Sequence, residues 1–214
     1  MRQTLTWALA STLVLLAGRA SAQEPGFGEP GHVALSAERL FGYVHSKETQ
    51  SMGGVDMSRS IDTFTLFTNP IGAASGYAWP RLALDAFVSH GVSVGGSLGL
   101  FYLSQDSASI TGFLIAPRFG YAAMIGPRVA IWPRGGITYW HVSTDPGNGG
   151  TTGTQSAFAL TIEAPLTILV APRVGLLIGP TIDIGLGGSQ GGGGASIDDK
   201  FTDFGLQAGV LLFI

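Results

Sequence analysis

The chain lacks cysteine and carries little charge: 12% of its 214 residues are charged, about half the fraction of a typical soluble protein. Without cysteine there is no disulfide framework, and a lipid anchor on a cysteine after a signal peptide is excluded too. Basic residues are also scarce, and only Lys47 and Lys200 are lysines. A nucleic-acid binder needs a basic patch, so that class of function is excluded.

The N-terminus has the three-part layout of a secretory signal peptide. Arg2 supplies a positive charge, residues 7–17 form an apolar stretch, and Ala20-Ser21-Ala22 is a cleavage site of small residues. The apolar stretch is shorter than the ~20 residues of a membrane-spanning helix. We therefore expect a signal peptide (1–22), a periplasmic N-terminal segment (23–32) and an exported folded domain (33–214).

The exported part is hydrophobic but contains no uninterrupted apolar run long enough for a transmembrane helix. Within lipid, only helices and closed barrels satisfy every backbone polar group. A hydrophobic exported chain without such a run therefore predicts a membrane β-barrel.

Alternation with a period of two residues supports this prediction. In 157–170, one face carries Leu160 and Ile162, and the other carries small residues and Glu163. In 173–186, Leu176 and Ile178 likewise oppose glycines, Thr181 and Asp183. Apolar side chains facing lipid and small or polar ones facing a narrow lumen are typical of a membrane barrel. A water-soluble protein would reverse the two faces.

We predict an all-β fold, an eight-stranded antiparallel transmembrane up-and-down β-barrel with both ends in the periplasm. The predicted strands are 33–44, 79–88, 91–103, 110–124, 128–142, 156–170, 173–186 and 202–214. Short inner turns lie near His90-Gly91, Gly126-Pro127 and Pro172-Arg173, and the long outer loops are 45–78, 104–109, 143–155 and 187–201. Residues 61–67 also alternate, and we place them in the first outer loop as a strand extension or hairpin.

Prolines and aromatic residues add two expectations. Each proline removes a ladder donor, so we expect bulges or irregularities at Pro117, Pro133, Pro165 and Pro180. Two aromatic girdles are expected at the membrane interfaces. The outer girdle would contain Tyr43, Trp79, Tyr102, Tyr139, Trp140 and Phe158, and the inner one Phe119, Tyr121, Trp132 and Phe213.

The predicted lumen gathers six charged residues from five strands. They are Arg81, Asp85, Arg118, Arg134, Glu163 and Asp183, with Glu38, Asp203 and Gln207 as possible additions. Charges at membrane depth are costly unless paired, and an eight-stranded barrel is just wide enough inside for side chains. We therefore expect a salt-bridge and hydrogen-bond network that plugs the barrel. The alternative use of these charges is a proton or ion path.

Signals for catalysis and cofactors are weak. His141 near Ser143, with Glu163 elsewhere, is a loose candidate for a serine hydrolase, but Glu163 is predicted to face inward. The four-glycine run 191–194 lacks the lysine and helix of a phosphate-binding loop. Neither zinc spacing nor calcium-loop spacing is present. We expect no catalytic residues, no metal site and no cofactor.

The eight alternating segments, the short inner turns and the final strand 204–214 resemble the small outer-membrane β-barrel proteins of the OmpA/OmpX-like class. In that class a terminal aromatic residue is commonly recognised by the insertion machinery; here Phe213 is penultimate and Ile214 is last. The resemblance implies localisation in the outer membrane, with its lipid bilayer and the barrel-assembly machinery as partners. It also implies anchoring, adhesion or envelope stability, or occasionally a lipid-modifying enzyme.

Together these features predict a non-enzymatic outer-membrane barrel with a polar, plugged lumen and exposed loops, in an envelope structural or surface-interaction role. The extracellular partner stays open. Three alternatives also stay open: a narrow pore for small solutes, a lipid-A-modifying hydrolase, and an exported soluble β-barrel that binds a lipid inside. The direction in which the aliphatic faces of 158–170 and 174–186 point separates the membrane alternatives from the soluble one.

Overall fold

A computed structural model describes residues 26–52, 55–67, 79–147, 149–192 and 195–214. These ranges form an all-β fold. In chain order the strands are β1 (Val33–Met52), β2 (Val55–Leu66), β3 (Arg81–Phe87), β4 (Val92–Gln105), β5 (Ala108–Tyr121), β6 (Ala123–Gly126), β7 (Val129–Ile131), β8 (Arg134–Asp145), β9 (Gly153–Glu163), β10 (Leu166–Ala171), β11 (Val174–Gly192) and β12 (Ala195–Phe213). The described part of the chain contains no helix that is long and apolar enough to cross a bilayer.

The wall of the barrel closes through antiparallel pairing. Strands β1, β3, β4, β5, β8, β9, β11 and β12 pair in that order, and β12 pairs back onto β1. The four shorter strands continue the strands of the wall. β2 pairs with β1 past the end of the β1–β3 pairing. β6, β7 and β10 extend β5, β8 and β9, respectively. The predicted eight-stranded antiparallel barrel is therefore confirmed.

The two ends of the barrel differ. Residues 26–32, Ile214 and the turns after β3, β6 and β10 lie at one end, which we call the inner end. The other, outer end carries long hairpins. β1 pairs with β2 as far as Met52↔Val55, and β11 pairs with β12 as far as Gly192↔Ala195.

These hairpins correct the predicted loops. Within the predicted loops 45–78 and 187–201, the described residues 45–52, 55–66, 187–192 and 195–201 belong to strands, and strands also extend into the predicted loops 104–109 and 143–155. The residues 61–67 lie in or just after β2, in agreement with the expected hairpin. Strand pairing continues past the bilayer, where both faces meet water and the apolar alternation ends, so alternation underestimates strand length.

Two of the four prolines interrupt the wall as expected. Pro133 separates β7 from β8 and Pro165 separates β9 from β10, while their carbonyl oxygens accept hydrogen bonds from neighbouring strands. Pro117 lies in a gap of the otherwise continuous β5–β8 register. Pro180 lies within the β11–β12 ladder, opposite Leu206, but on the other edge of β11 it lies in the gap between the pairing with β10, which ends at Ile178, and the pairing with β9, which begins at Thr181.

The outer surface of the barrel is apolar. Ile162, Leu176 and Ile178 point outward, whereas Glu163 and Asp183 are buried in the lumen. Large apolar side chains lie on the outward face of each of the eight strands that form the wall. An apolar exterior of this extent requires lipid, so the alternative of a soluble lipid-binding barrel is wrong.

The aromatic girdles are only partly as expected. Tyr102 and Phe158 are exposed near the outer end, and Phe119 and Tyr121 are exposed near the inner end. Other members of the predicted girdles, Trp132, Trp140 and Phe213, are buried inside the barrel, and Trp79 packs against that interior. Strand parity explains the correction, because Trp132 and Trp140 lie between outward neighbours such as Ile131 and Tyr139.

Candidate functional site

The lumen contains a charged layer between two apolar layers. Its central residue is Arg118 on β5, whose guanidinium contacts three carboxylates. Nε and Nη2 donate to Asp85 at 3.0 and 2.5 Å, and Nη1 and Nη2 donate to Glu38 at 2.7 and 2.8 Å. Nη1 also donates to Glu163 at 3.0 Å. Arg118 therefore links β1, β3 and β9 across the lumen.

Arg134 on β8 contacts the same carboxylates from a second side. Its Nη1 donates to Glu38 at 2.7 Å, and its Nη2 lies 3.1 Å from Glu163 Oε1. Nη1 lies 3.9 Å from Asp85 Oδ2. Two guanidinium groups thus share three buried carboxylates, the arrangement that planar, multidentate arginine favours.

Arg39 belongs to this layer but was not among the predicted site residues. Strict alternation would point it into the lipid, since Glu38 points inward. The structure gives Arg39 a left-handed backbone (φ 55°) within a register shift between Ala37 and Phe41, and both side chains enter the lumen. Arg39 Nη1 then donates to Asp183 at 3.0 Å, and Thr161 Oγ1 donates to the same carboxylate at 2.5 Å. Two adjacent charges in a membrane strand are the signal for such an irregularity, because a charge on the lipid face is costly.

The other predicted lumen residues also lie inside the barrel. Arg81 lines the cavity next to Arg118 and Arg134. Asp203 on β12 is buried and lies directly opposite Asp183 on β11. All six predicted charges, and the three possible additions, are buried; they are Arg81, Asp85, Arg118, Arg134, Glu163 and Asp183, with Glu38, Asp203 and Gln207.

Glycines next to Arg118 make room for the network. Across β3, β4, β5 and β8, the paired residues are Asp85, Gly95, Arg118 and Gly136. A Cβ atom on Gly95 would lie 2.6 Å from an Asp85 carboxylate oxygen, and one on Gly136 would lie 2.8 Å from the Cα atom of Arg118. Any larger residue would push the charged groups out of position.

A second sequence signal also marks this layer. Three of its arginines directly follow a proline, in Pro80-Arg81, Pro117-Arg118 and Pro133-Arg134. The same dipeptide occurs at two inner turns, as Pro127-Arg128 and Pro172-Arg173. The dipeptide alone therefore does not separate lumen arginines from turn arginines, and strand parity is needed as well.

Below the charged layer, aromatic rings close the inner end. This floor consists of Phe27, Phe87, Trp132 and Phe213 together with smaller apolar residues. The ring of Phe27 makes edge contacts with the other three at centroid distances of 5.2, 5.3 and 5.6 Å. Trp132 Nε1 donates to Ser93 Oγ at 3.0 Å, and Arg134 stacks over the indole at 4.4 Å. The cation–π contact joins the floor to the charged layer.

Above the charged layer lies a second apolar cluster, the roof. It consists of Leu114, Ala116, Trp140, Ala157, Ala159 and Phe201. Trp79 packs against it and makes an edge contact with Phe101 at 4.5 Å. The roof separates the charged layer from the outer end of the lumen.

Little empty space remains between these layers. A cavity lined by Arg81, Arg118, Arg134 and Glu163 has a volume of about 10 Å³. This is near the lower limit for a single water molecule. The side chains that line this cavity therefore leave room for about one water molecule.

The loose hydrolase candidate is not assembled. His141 lies on the outer face of β8, where its ring is 5.7 Å from that of Phe113. Glu163 lies inside the barrel and is bound to two arginines. The wall separates the two groups, so they cannot share a proton. In the described residues, no three His, Asp or Glu side chains group as metal ligands.

A separate polar cluster lies on the outside of the β1–β2 hairpin, just beyond the apolar band. Tyr43 Oη donates to Asp62 Oδ1 at 2.6 Å, and His45 Nδ1 lies 2.8 Å from the same oxygen. The hydrogen bond from Tyr43, followed by that from His45, lowers the pKa of Asp62 below its ordinary value.

Comparisons with known proteins agree with this architecture. No family model and no curated protein matches the chain. Among solved structures, the outer membrane protein AlkL in lipid bilayers is similar, with a TM-score of 0.55 and 15% identity over 92% of this chain and 95% of that one. Neisserial surface protein A is also similar, with a TM-score of 0.51 and 15% identity over 85% and 98%.

The chain has the fold of the small outer-membrane β-barrel proteins. The closed barrel and the apolar exterior together place the protein in the outer membrane, embedded in its lipid bilayer. At this level of identity the likeness concerns the fold alone.

Proposed function

We propose that the protein is a non-enzymatic outer-membrane barrel with a sealed lumen, acting in envelope structure or in surface interactions. The observation that carries the proposal is the position of the charged layer between the floor and the roof. An open pore needs a continuous polar path, and both apolar layers interrupt it.

The ion pairs support sealing in a second way. Each guanidinium of Arg118 and Arg134 is already bound by carboxylates, so a passing ion would have to break existing pairs. An unpaired ion in a dry interior costs several kcal/mol or more. The narrow-pore alternative would need these side chains to move aside together.

Single-channel recording in planar lipid bilayers tests the proposal. We expect the purified protein to insert without stable open-channel current at neutral pH, while a known porin in the same membrane conducts. A reproducible conductance of porin size would refute the sealed lumen. Heat-modifiable gel migration verifies that the barrel is folded, and flotation with lipid vesicles of the same composition verifies that it inserts.

We further propose that the inner end faces the periplasm, after export by the signal peptide 1–22, and that the barrel-assembly machinery inserts the chain. Short turns at the inner end support this orientation. In the folded barrel Phe213 faces the floor and Ile214 faces outward, so an aliphatic residue holds the outward terminal position. Residues 1–22 lie outside the described residues.

The proposal of no enzymatic activity rests on the separation of His141 from Glu163 and on the full pairing of Glu163 inside the lumen. The surface role is assigned to the outer hairpins β1–β2 and β11–β12, which extend beyond the apolar band.

A further inference from the structure

The segment before the first strand lies across the inner mouth of the barrel. We call residues 26–32 the strap. Gly28 and Gly31 have left-handed backbones (φ 92° and 88°), which allow the strap to turn into the mouth and back out to β1. Its backbone is tied to the β3–β4 turn by the bonds Gly31 N to Phe87 O, at 2.8 Å, and Gly91 N to Gly28 O, at 2.9 Å.

The strap carries Phe27 into a cage built from distant parts of the chain. Phe87 ends β3, Trp132 lies between β7 and β8, and Phe213 ends β12. Phe87 and Phe213 come from the strands on either side of β1, and Trp132 comes from the opposite side of the barrel wall. Phe27 itself is 3% exposed, so the cage encloses it almost completely.

The cage is complete only when the barrel is closed. Phe213 reaches its place through the pairing of β12 with β1, where Val33 and Ile214 exchange two backbone hydrogen bonds. This pairing joins the first wall strand to the last. Full enclosure of Phe27 therefore requires a closed wall.

We propose that the strap is a latch: Phe27 docks after the barrel closes and then holds the β12–β1 seam and the inner mouth shut. Contacts that form after the transition state of folding slow unfolding and leave the folding rate nearly unchanged. The strap thus gives the barrel kinetic stability.

Unfolding and refolding rates of protein purified from outer membranes test the latch. For Phe27→Ala we expect unfolding in urea to accelerate about tenfold or more, with refolding into phospholipid vesicles changed less than about twofold. Phe27→Leu, which retains part of the apolar volume, should give an intermediate rate. Phe204→Ala is the matched control, because Phe204 lies on the lipid side of β12, where lipid can fill the space left.

A second measurement distinguishes latching from general damage. In a Trp79→Phe, Trp140→Phe background from which Trp7 has been removed with residues 1–22, Trp132 reports on the floor, and acrylamide should quench it more strongly in Phe27→Ala while the barrel stays folded on gels. Slower refolding with unchanged unfolding would overturn the proposal, because Phe27 would then act before closure. Failure of Phe27→Ala to insert, or unchanged rates and quenching, would overturn it too.

Discussion

Replacement of Arg118 by methionine is the sharpest perturbation of the charged layer. Methionine keeps much of the side-chain volume but removes five hydrogen bonds to three carboxylates. Glu38 and Glu163 retain Arg134 at 2.7 and 3.1 Å, whereas the nearest approach of Arg134 to Asp85 is 3.9 Å. Asp85, which is fully buried, is therefore the carboxylate that loses most of its pairing with arginine.

The magnitude follows from these contacts. Five separate hydrogen bonds to charged groups would sum to about 7–15 kcal/mol, which equals the whole stability of many proteins. Because Arg134 keeps two of the three carboxylates paired, the loss resembles one broken buried ion pair, about 3–5 kcal/mol. With a urea dependence of about 2 kcal/mol per M, the midpoint should fall by about 1.5–2.5 M.

Urea unfolding in detergent micelles, followed by heat-modifiable migration and tryptophan fluorescence, measures this shift. Arg128→Met is the matched control, since Arg128 is an exposed arginine after a proline at an inner turn, and it should change stability by less than about 0.5 kcal/mol. Adding Asp85→Asn to Arg118→Met should recover about 1–3 kcal/mol, because the stranded charge is removed. An Arg118→Met midpoint within 0.5 M of the wild type (about 1 kcal/mol) would refute the reasoning.

Two further predictions concern packing and titration. Gly136→Ala should cost about 1–3 kcal/mol in the same urea assay, because its Cβ would press on Arg118, whereas Gly135→Ala, whose Cβ would make only an ordinary contact at 3.8 Å with Thr161 O, should cost clearly less; equal costs would contradict this. Since the hydrogen bond from Tyr43 lowers the pKa of Asp62, the stabilisation by Asp62 is present above its unfolded pKa and is lost as the pH falls through the lowered value. Tyr43→Phe should therefore raise the pKa of Asp62 in a carboxyl-carbon NMR titration, and an unmoved titration would refute the hydrogen bond.

Strand parity predicted most of the lumen. Once one face of a strand is known to meet lipid, a period of two assigns every second residue, so Arg118, Arg134 and Glu163 could be placed inside from the sequence. What parity could not provide was their partners, because contacts across the lumen depend on the relative heights of the strands. Those heights come from register, which the sequence pattern of single strands does not fix.

Arg39 and Phe27 show where the sequence pattern fails. Arg39 breaks parity through a left-handed residue, and a local irregularity of this kind is visible only as two adjacent charges. Phe27 lies in a segment with no strand pattern, so its burial depends on a cage made by residues far away in the sequence. The length of the outer hairpins was underestimated for the opposite reason, since hydrogen bonding continues where the apolar pattern has ended.

The charged layer has a role in specifying register that an apolar lumen could not fill. Sliding a strand by one residue would turn its inward side chains toward lipid. In a barrel with an apolar lumen, such a slip would exchange one apolar face for another and would change the free energy of folding little. Here it would expose groups such as Arg118 or Glu163, at about 2–4 kcal/mol for an arginine near the bilayer midplane. Buried ion pairs often add little net stability over apolar packing. Their larger effect in this barrel is to destabilise the wrong registers. In a wrong register, an unpaired charge would lie either in lipid or against the aromatic layers of the lumen, and both environments are unfavourable for it.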